Sequence, residues 1–211
     1  MIDSGQLKPE QQAQFQFYLG NFAYGAGDFP AAATALKAAA DAGFQDPALV
    51  PLLIQAYGKA GRAVEGLTTA RAVIDAKQKA GQPIPEDWLK RANAVAYEAK
   101  AGPDAIAFST TLVDQYPNDF NWLSAAQIVR TFAQLDPAAT LDLFRLMDRS
   151  GALNSNRQYV LGEYKEYIET ADPRKNPGEV VALVDKGMQK GVLQAGDTWA
   201  TEAKSAASGR V

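Results

Sequence analysis

The chain has no cysteine and no histidine among its 211 residues, and these two absences exclude more chemistry than any motif supplies. There is no disulfide, no thiolate nucleophile, no imidazole general base and no Cys or His zinc site. Catalysis would have to rest on carboxylates, lysine, tyrosine and hydroxyls. A chain without thiols is also indifferent to redox compartment, so cysteine usage does not separate reducing from oxidising surroundings. Long apolar runs are missing as well; none approaches the roughly 20 residues of a membrane span. Nor is there a basic excess: 21 Lys and Arg stand against 24 Asp and Glu, a net charge of -3. That balance speaks against nucleic acid as a partner. The stretch 59–100 is mildly positive, with eight basic and five acidic residues, too little to define a site. Met1-Ile2-Asp3-Ser4-Gly5 lacks both the basic and the apolar region of a signal peptide. The expectation is a soluble chain, with a mature or trimmed segment as one form of it.

What is present is a repeat. The stretch from Leu19 to Ala76 can be laid on itself at a shift of 34 residues: Leu19 falls on Leu53, Ala26 on Ala60, Gly27 on Gly61, Asp41 on Asp75 and Ala42 on Ala76. The matches sit in one helical pattern, at a turn and at the end of a second pattern, which is one helix-turn-helix unit repeated. Such units bury their apolar faces only by stacking. The predicted fold is therefore all-α, an α-α superhelix of about five helix pairs plus a C-terminal helix, without strands. Its approximate units are 8–44, 46–80, 85–117, 118–151 and 154–191, with a terminal helix over 196–208, all in one domain.

Local signals set these boundaries. Pro9-Glu10 opens a first helix running to about Gly25, with Phe15, Tyr18, Leu19 and Phe22 as its apolar stripe. Asp28 caps a partner helix that turns Ala32, Leu36 and Ala39 toward the first. Asp46-Pro47 reads as the next start, followed by Leu49, Leu53, Ala56 and Tyr57 facing inward. Gly61 ends that helix, and Val64 to about Lys79 is its partner. Ala80 to Pro85 forms a lengthened loop before helical patterning resumes at Glu86. The third unit carries Trp88, Leu89, Ala92, Val95 and Ala96, a Gly102-Pro103 turn, then Ile106, Leu112 and Val113. The fourth pairs a helix from about Asn118 to Gln134 with one capped at Asp136-Pro137 and carrying Leu141, Leu143, Phe144 and Met147, ended by Ser150-Gly151. In the fifth, Asn176-Pro177-Gly178-Glu179 reads as a cap with the glutamate reaching back to the open backbone N–H. The polar ending from Ala203 to Val211 reads as a terminal cap fading into disorder.

The 34-residue period, the closing Tyr116-Pro117-Asn118 with Trp122 after it, and Tyr159, Leu161-Gly162 and Tyr164 resemble the tetratricopeptide repeat. Leu141-Asp142-Leu143-Phe144-Arg145-Leu146 with Gly151, and Val184-Asp185-Lys186-Gly187 with Gly191-Val192-Leu193, are similar to the C-terminal part of exported bacterial tetratricopeptide-repeat proteins of unassigned function. The first resemblance implies a right-handed solenoid, and the second implies the periplasm. In such repeats the first helix of each pair lines a concave face whose contacts recur at the second, fifth, ninth, twelfth and thirteenth places. Carried over, this implies a binding groove of Gln14, Phe17, Asn21, Tyr24, Gln55, Lys59, Lys90, Tyr97, Gln127, Arg130, Tyr159, Glu163 and Tyr167. Independently, Phe17 and Tyr24 lie about 180° to 200° round the first helix from Phe15, at about 100° per residue. They serve either that groove or the underside of a neighbouring helix.

Other constellations read more plainly. Glu163, Glu166 and Glu169, spaced i, i+3 and i+6, have the reach of a paired-carboxylate or metal site, yet a solvated acidic face is the simpler account. Gly25-Ala26-Gly27 is a fragment of a phosphate-binding pattern, but Pro30 stands where its third glycine is required. Lys90 and Arg91 near Lys100 are within helical reach of Glu86, Asp87 and Glu98, which neutralise them. The expected function is a scaffold for a protein or extended peptide, without enzymatic activity, cofactor or metal, and with self-association through the first helix as a further prospect. The alternatives are a carboxylate-dependent cell-wall enzyme or its helical accessory region, and a structural spacer.

Overall fold

The computed structural model describes residues 8–211; the reading of Met1 to Gly5 lies outside them. All regular structure in the described residues is helical, in eleven α-helices and one 3-10 turn, with no strand. The helices divide into two compact units, one ending at Gln115 and one over Tyr116–Val211, and each is taken by itself. Within each unit consecutive helices pack on one another, the arrangement of an α-α superhelix. No helix among the described residues is long and apolar enough to cross a membrane.

The first unit holds α1 (Pro9–Gly25), α2 (Phe29–Asp41), α3 (Leu49–Lys59), α4 (Ala63–Lys79), α5 (Glu86–Glu98) and α6 (Gly102–Gln115). Asp28 caps α2 as expected, accepting from the Ala31 N–H at 3.1 Å. Asp46 does not begin α3. Its carboxylate accepts from Ala48 N–H at 2.8 Å in a turn, and the helix starts at Leu49. The Gly102-Pro103 turn is likewise displaced: both residues open α6, and the chain turns at Lys100. Lys100 has φ 56, in the place where the two earlier pairs carry Gly27 (φ 81) and Gly61 (φ 74). A lysine there accepts a left-handed backbone that glycine takes without strain.

The largest departure from the sequence reading is the rotation of α1. Its buried face is Ala13, Phe17, Gly20 and Ala23, whereas Phe15, Tyr18, Leu19 and Phe22 are exposed. Close approach explains the inversion. A Cβ built on Gly20 would lie 2.5 Å from Leu36 Cγ, so α1 meets α2 across a bare backbone and alanines, and the bulkier stripe turns away. The core of this region joins Phe17 to Ala32, Ala33, Leu36, Leu49 and Leu53.

The second unit holds α7 (Asp119–Phe132), α8 (Pro137–Ser150), the 3-10 turn Ala152–Asn154, α9 (Arg157–Ala171), α10 (Pro177–Gln189) and α11 (Thr198–Ser208). Asn118 and Asp136 cap α7 and α8 through their side chains, and Gly151 ends α8 at φ 88. The capping box expected at Asn176 is not formed. Asn176 donates to the Ala171 carbonyl at 2.6 Å, while Glu179 is drawn to Arg145 and Tyr167. A guanidinium with a phenol is the stronger set of donors for a carboxylate than one backbone N–H. Nor does the chain fade after Ala203, because α11 continues to Ser208 and buries Ala200 and Ala207.

Candidate functional site

In the first unit, the facing sides of α1, α3 and α5 with the turns before α3 and α5 enclose a groove of about 460 Å³. Each of these is the first helix of its pair. One wall is apolar: Pro47, Pro51, Leu52, Pro85 and Trp88. Pro51 is tolerated inside α3 because it falls in the first turn, where an N–H would have no helical acceptor. Trp88 is fixed in place by its indole N–H, which donates to the Pro47 carbonyl at 3.1 Å, and by Lys77, whose ammonium lies 5.2 Å from the ring centroid.

Facing this wall are the amides of Asn21 and Gln55, one repeat apart in sequence. Neither makes a side-chain hydrogen bond among the described residues, so two donor-acceptor groups are left for whatever enters. Asp87 and Arg91 also line the groove but answer each other at 3.2 Å, and Lys90 is paired with Glu86 at 2.9 Å. The expected neutralisation of Lys90 and Arg91 is thus realised by Glu86 and Asp87.

The remaining proposed contacts of the first unit fall elsewhere. Phe17 is a correction. It is buried, with its ring 5.1 Å from Phe44, and belongs to the core because the small-residue face of α1 is turned inward. Tyr24 is half-buried, edge-on to Phe29 at 5.3 Å. Gln14 is exposed and donates to the Tyr18 hydroxyl at 3.3 Å. Lys59 and Tyr97 are exposed. Trp88, Pro47 and Pro85 were missed as groove residues. The signal was available, since Pro47 stands just before α3 and Pro83 and Pro85 just before α5, but it reads first as turn chemistry.

In the second unit the proposed contacts form a polar network. Arg130 of α7 pairs with both Glu163 and Glu166 of α9, and its guanidinium lies over the Phe144 ring, 5.0 Å from the centroid. Gln127 donates to the other Glu163 oxygen at 2.9 Å. Glu163 is buried, and both its oxygens are taken. Tyr167 is also buried, stacked on Phe144 at 5.3 Å and donating to Glu179 at 2.8 Å. Glu163 and Tyr167 are therefore corrections too: they tie helices together and are closed to a ligand. Tyr159 is exposed.

The electrostatics agree with this tying role. Arg145, bidentate to Glu179 at 2.9 and 2.7 Å, holds that carboxyl below its ordinary range, with the Tyr167 hydroxyl helping and burial opposing. Burial and the Glu179 contact push the Tyr167 phenol upward. Tyr164, pushed up to about 12 by burial, has a hydroxyl with no hydrogen-bond partner. Arg157 joins Asp197 at 2.9 Å and holds that carboxyl down. Glu163 and Glu166 share Arg130 while Glu169 faces Lys165 at 3.9 Å, so the three spaced glutamates do not converge on one site. Among the described residues no group of three acidic side chains is placed to hold a metal ion.

Compared with known proteins, the chain matches no family model, and no curated protein matches it significantly.

Proposed function

We propose that the protein is a tetratricopeptide-like scaffold that holds an extended peptide or protein segment in the groove of α1, α3 and α5. One observation carries this reading: Asn21 and Gln55, unengaged and one repeat apart, face a wall of three prolines, a leucine and a tryptophan. A side-chain amide both donates and accepts, so it can pair with the backbone of an extended chain in either sense, while rigid apolar surface beside it takes up that chain's side chains. The reading departs from the sequence expectation in its residues. Asn21 and Gln55 remain, and Pro47, Pro51, Pro85 and Trp88 replace Phe17. The likeness of the C-terminal segments to exported bacterial repeat proteins supports the periplasm as the place of action.

A random-peptide display selection on the intact chain tests the proposal. Peptides retained by the parent should bind the Asn21→Ala/Gln55→Ala variant about tenfold or more weakly, the loss of roughly two neutral hydrogen bonds, at an unchanged melting temperature. Failure to enrich any peptide, or equal binding by the double variant, overturns it.

A further inference from the structure

Consecutive first helices provide an internal standard for judging the bare face of α1. Aligned on the turn residues Gly27, Gly61 and Lys100, Phe15 corresponds to Leu49 and Trp88, Leu19 to Leu53 and Ala92, and Phe22 to Ala56 and Val95. In α3 and α5 these six positions are all buried, and the preceding helix pair covers them. Trp88 reaches back to the Pro47 carbonyl, and Val95 sits so close to α3 that a Cβ on Gly58 would lie 3.1 Å from it. In α1 the same three places are 53%, 46% and 78% exposed, and they carry larger apolar side chains than most of their buried counterparts. Tyr18, 60% exposed, extends the strip. The face thus has the pattern of a helix-covered surface, and uncovered it is a contiguous aromatic patch of the kind that marks an interaction site.

We infer that this face is a self-association surface, occupied by α1 of a second copy of the chain across a two-fold axis. Charge argues for this occupant. The only charged side chain in α1 is Glu10, in its first turn, so two α1 strips can meet without opposing like charges, and no charge on the strip selects a different partner. A two-fold contact requires that kind of self-complementary patch. With the axis near the middle of the strip, Leu19 faces the Leu19 region of the other copy, and Phe15 faces Phe22. In that register Gln16 comes opposite Asn21 of the other copy, and two side-chain amides can each donate and accept. A one-helix contact lies at the small end of interface sizes, so a dissociation constant on the order of 10 μM is expected.

Sedimentation equilibrium of the intact chain from about 1 to 300 μM, a range bracketing that constant, tests the inference. The parent should pass from monomer to dimer and stop there. Phe22→Glu should weaken the dimer at least tenfold, and its melting curve measured at monomeric concentration should stay unchanged, since Phe22 touches little of its own chain. Because the chain has no cysteine, Leu19→Cys introduces a single thiol, which should give a disulfide-linked dimer on mild oxidation, whereas Thr110→Cys, at an exposed position of α6, should not. A parent that remains monomeric, a dimer indifferent to Phe22→Glu, or assembly continuing beyond two copies would each overturn it.

Discussion

Between α2 and α3 the joint is made of alanine and leucine; between α8 and α10 it runs through an arginine, a glutamate and a tyrosine. In the first unit Lys37 and Asp41, Arg62 and Glu65, and Lys90 and Glu86 form local ion pairs spanning three or four residues. Arg71 with Asp104, at 3.2 Å, reaches from one pair to the next. In the second unit Arg130, Arg145, Arg157, Lys186 and Lys204 each reach a different element. Small residues let helices approach until dispersion and burial hold them. Larger helix separations leave room for long side chains, and these fix register by charge and hydrogen-bond geometry. One repeat plan thus tolerates two kinds of joint, with different responses to mutation and to pH.

The largest contrast should come from cutting each joint. Leu36→Ala in the first unit removes a fully buried side chain that seats against Gly20, and a loss of about 3 kcal/mol is expected by chemical denaturation. Arg130→Met in the second unit should cost about 2 kcal/mol, because it leaves the buried Glu163 with Gln127 alone. Adding Glu163→Leu to Arg130→Met should recover most of that loss, since a buried pair replaced by apolar groups is often neutral. A double variant no better than the single would mean that the polar joint is not separable in this way.

A smaller effect sharpens the comparison by acidification. The Glu179 carboxyl is held below its ordinary value of 4.5, chiefly by Arg145. Its contribution to stability is therefore complete above about 4.5 and is lost as pH falls through the lowered folded value. Glu179→Gln should be less stable than the parent at neutral pH, and the gap should close below that range. The unchanged alanine joint of the first unit supplies no such slope. Denaturation midpoints measured from pH 7 down to about pH 3, which spans ordinary carboxylate titration, will decide it; a constant gap would dissociate Glu179 from the acid response.

Much of the fold was legible because its punctuation is local. Asp28 and Asp136 cap helices through atoms three residues away, and the 34-residue repeat is visible without any tertiary contact. The rotation of α1 was not legible. The helix carries two stripes, and hydropathy favours Phe15, Tyr18, Leu19 and Phe22 over Ala13, Phe17, Gly20 and Ala23. Packing favours the second stripe, because α2 presents alanines and what matters there is how near two backbones can come. The same limit hid the fate of Glu163 and Glu179. Their spacing tells which helical face they share, but the arginines that claim them lie 33 and 34 residues away. The groove was legible only in its amides, since Pro47 and Pro85 announce turns before they announce a surface.

Gly20 sets a distance as well as permitting one. The next residue on α1 is Asn21, which lines the groove opposite Gln55, so the missing methyl at position 20 works as a caliper for the mouth of that groove. Thickening the contact by one carbon, as in Gly20→Ala, would lever α1 away from α2 and carry the Asn21 amide with it, without altering any side chain that lines the groove. Helix spacing and groove width are in this way recorded in one codon, and a library that varies the residue at position 20 would tune the aperture while leaving its chemistry constant.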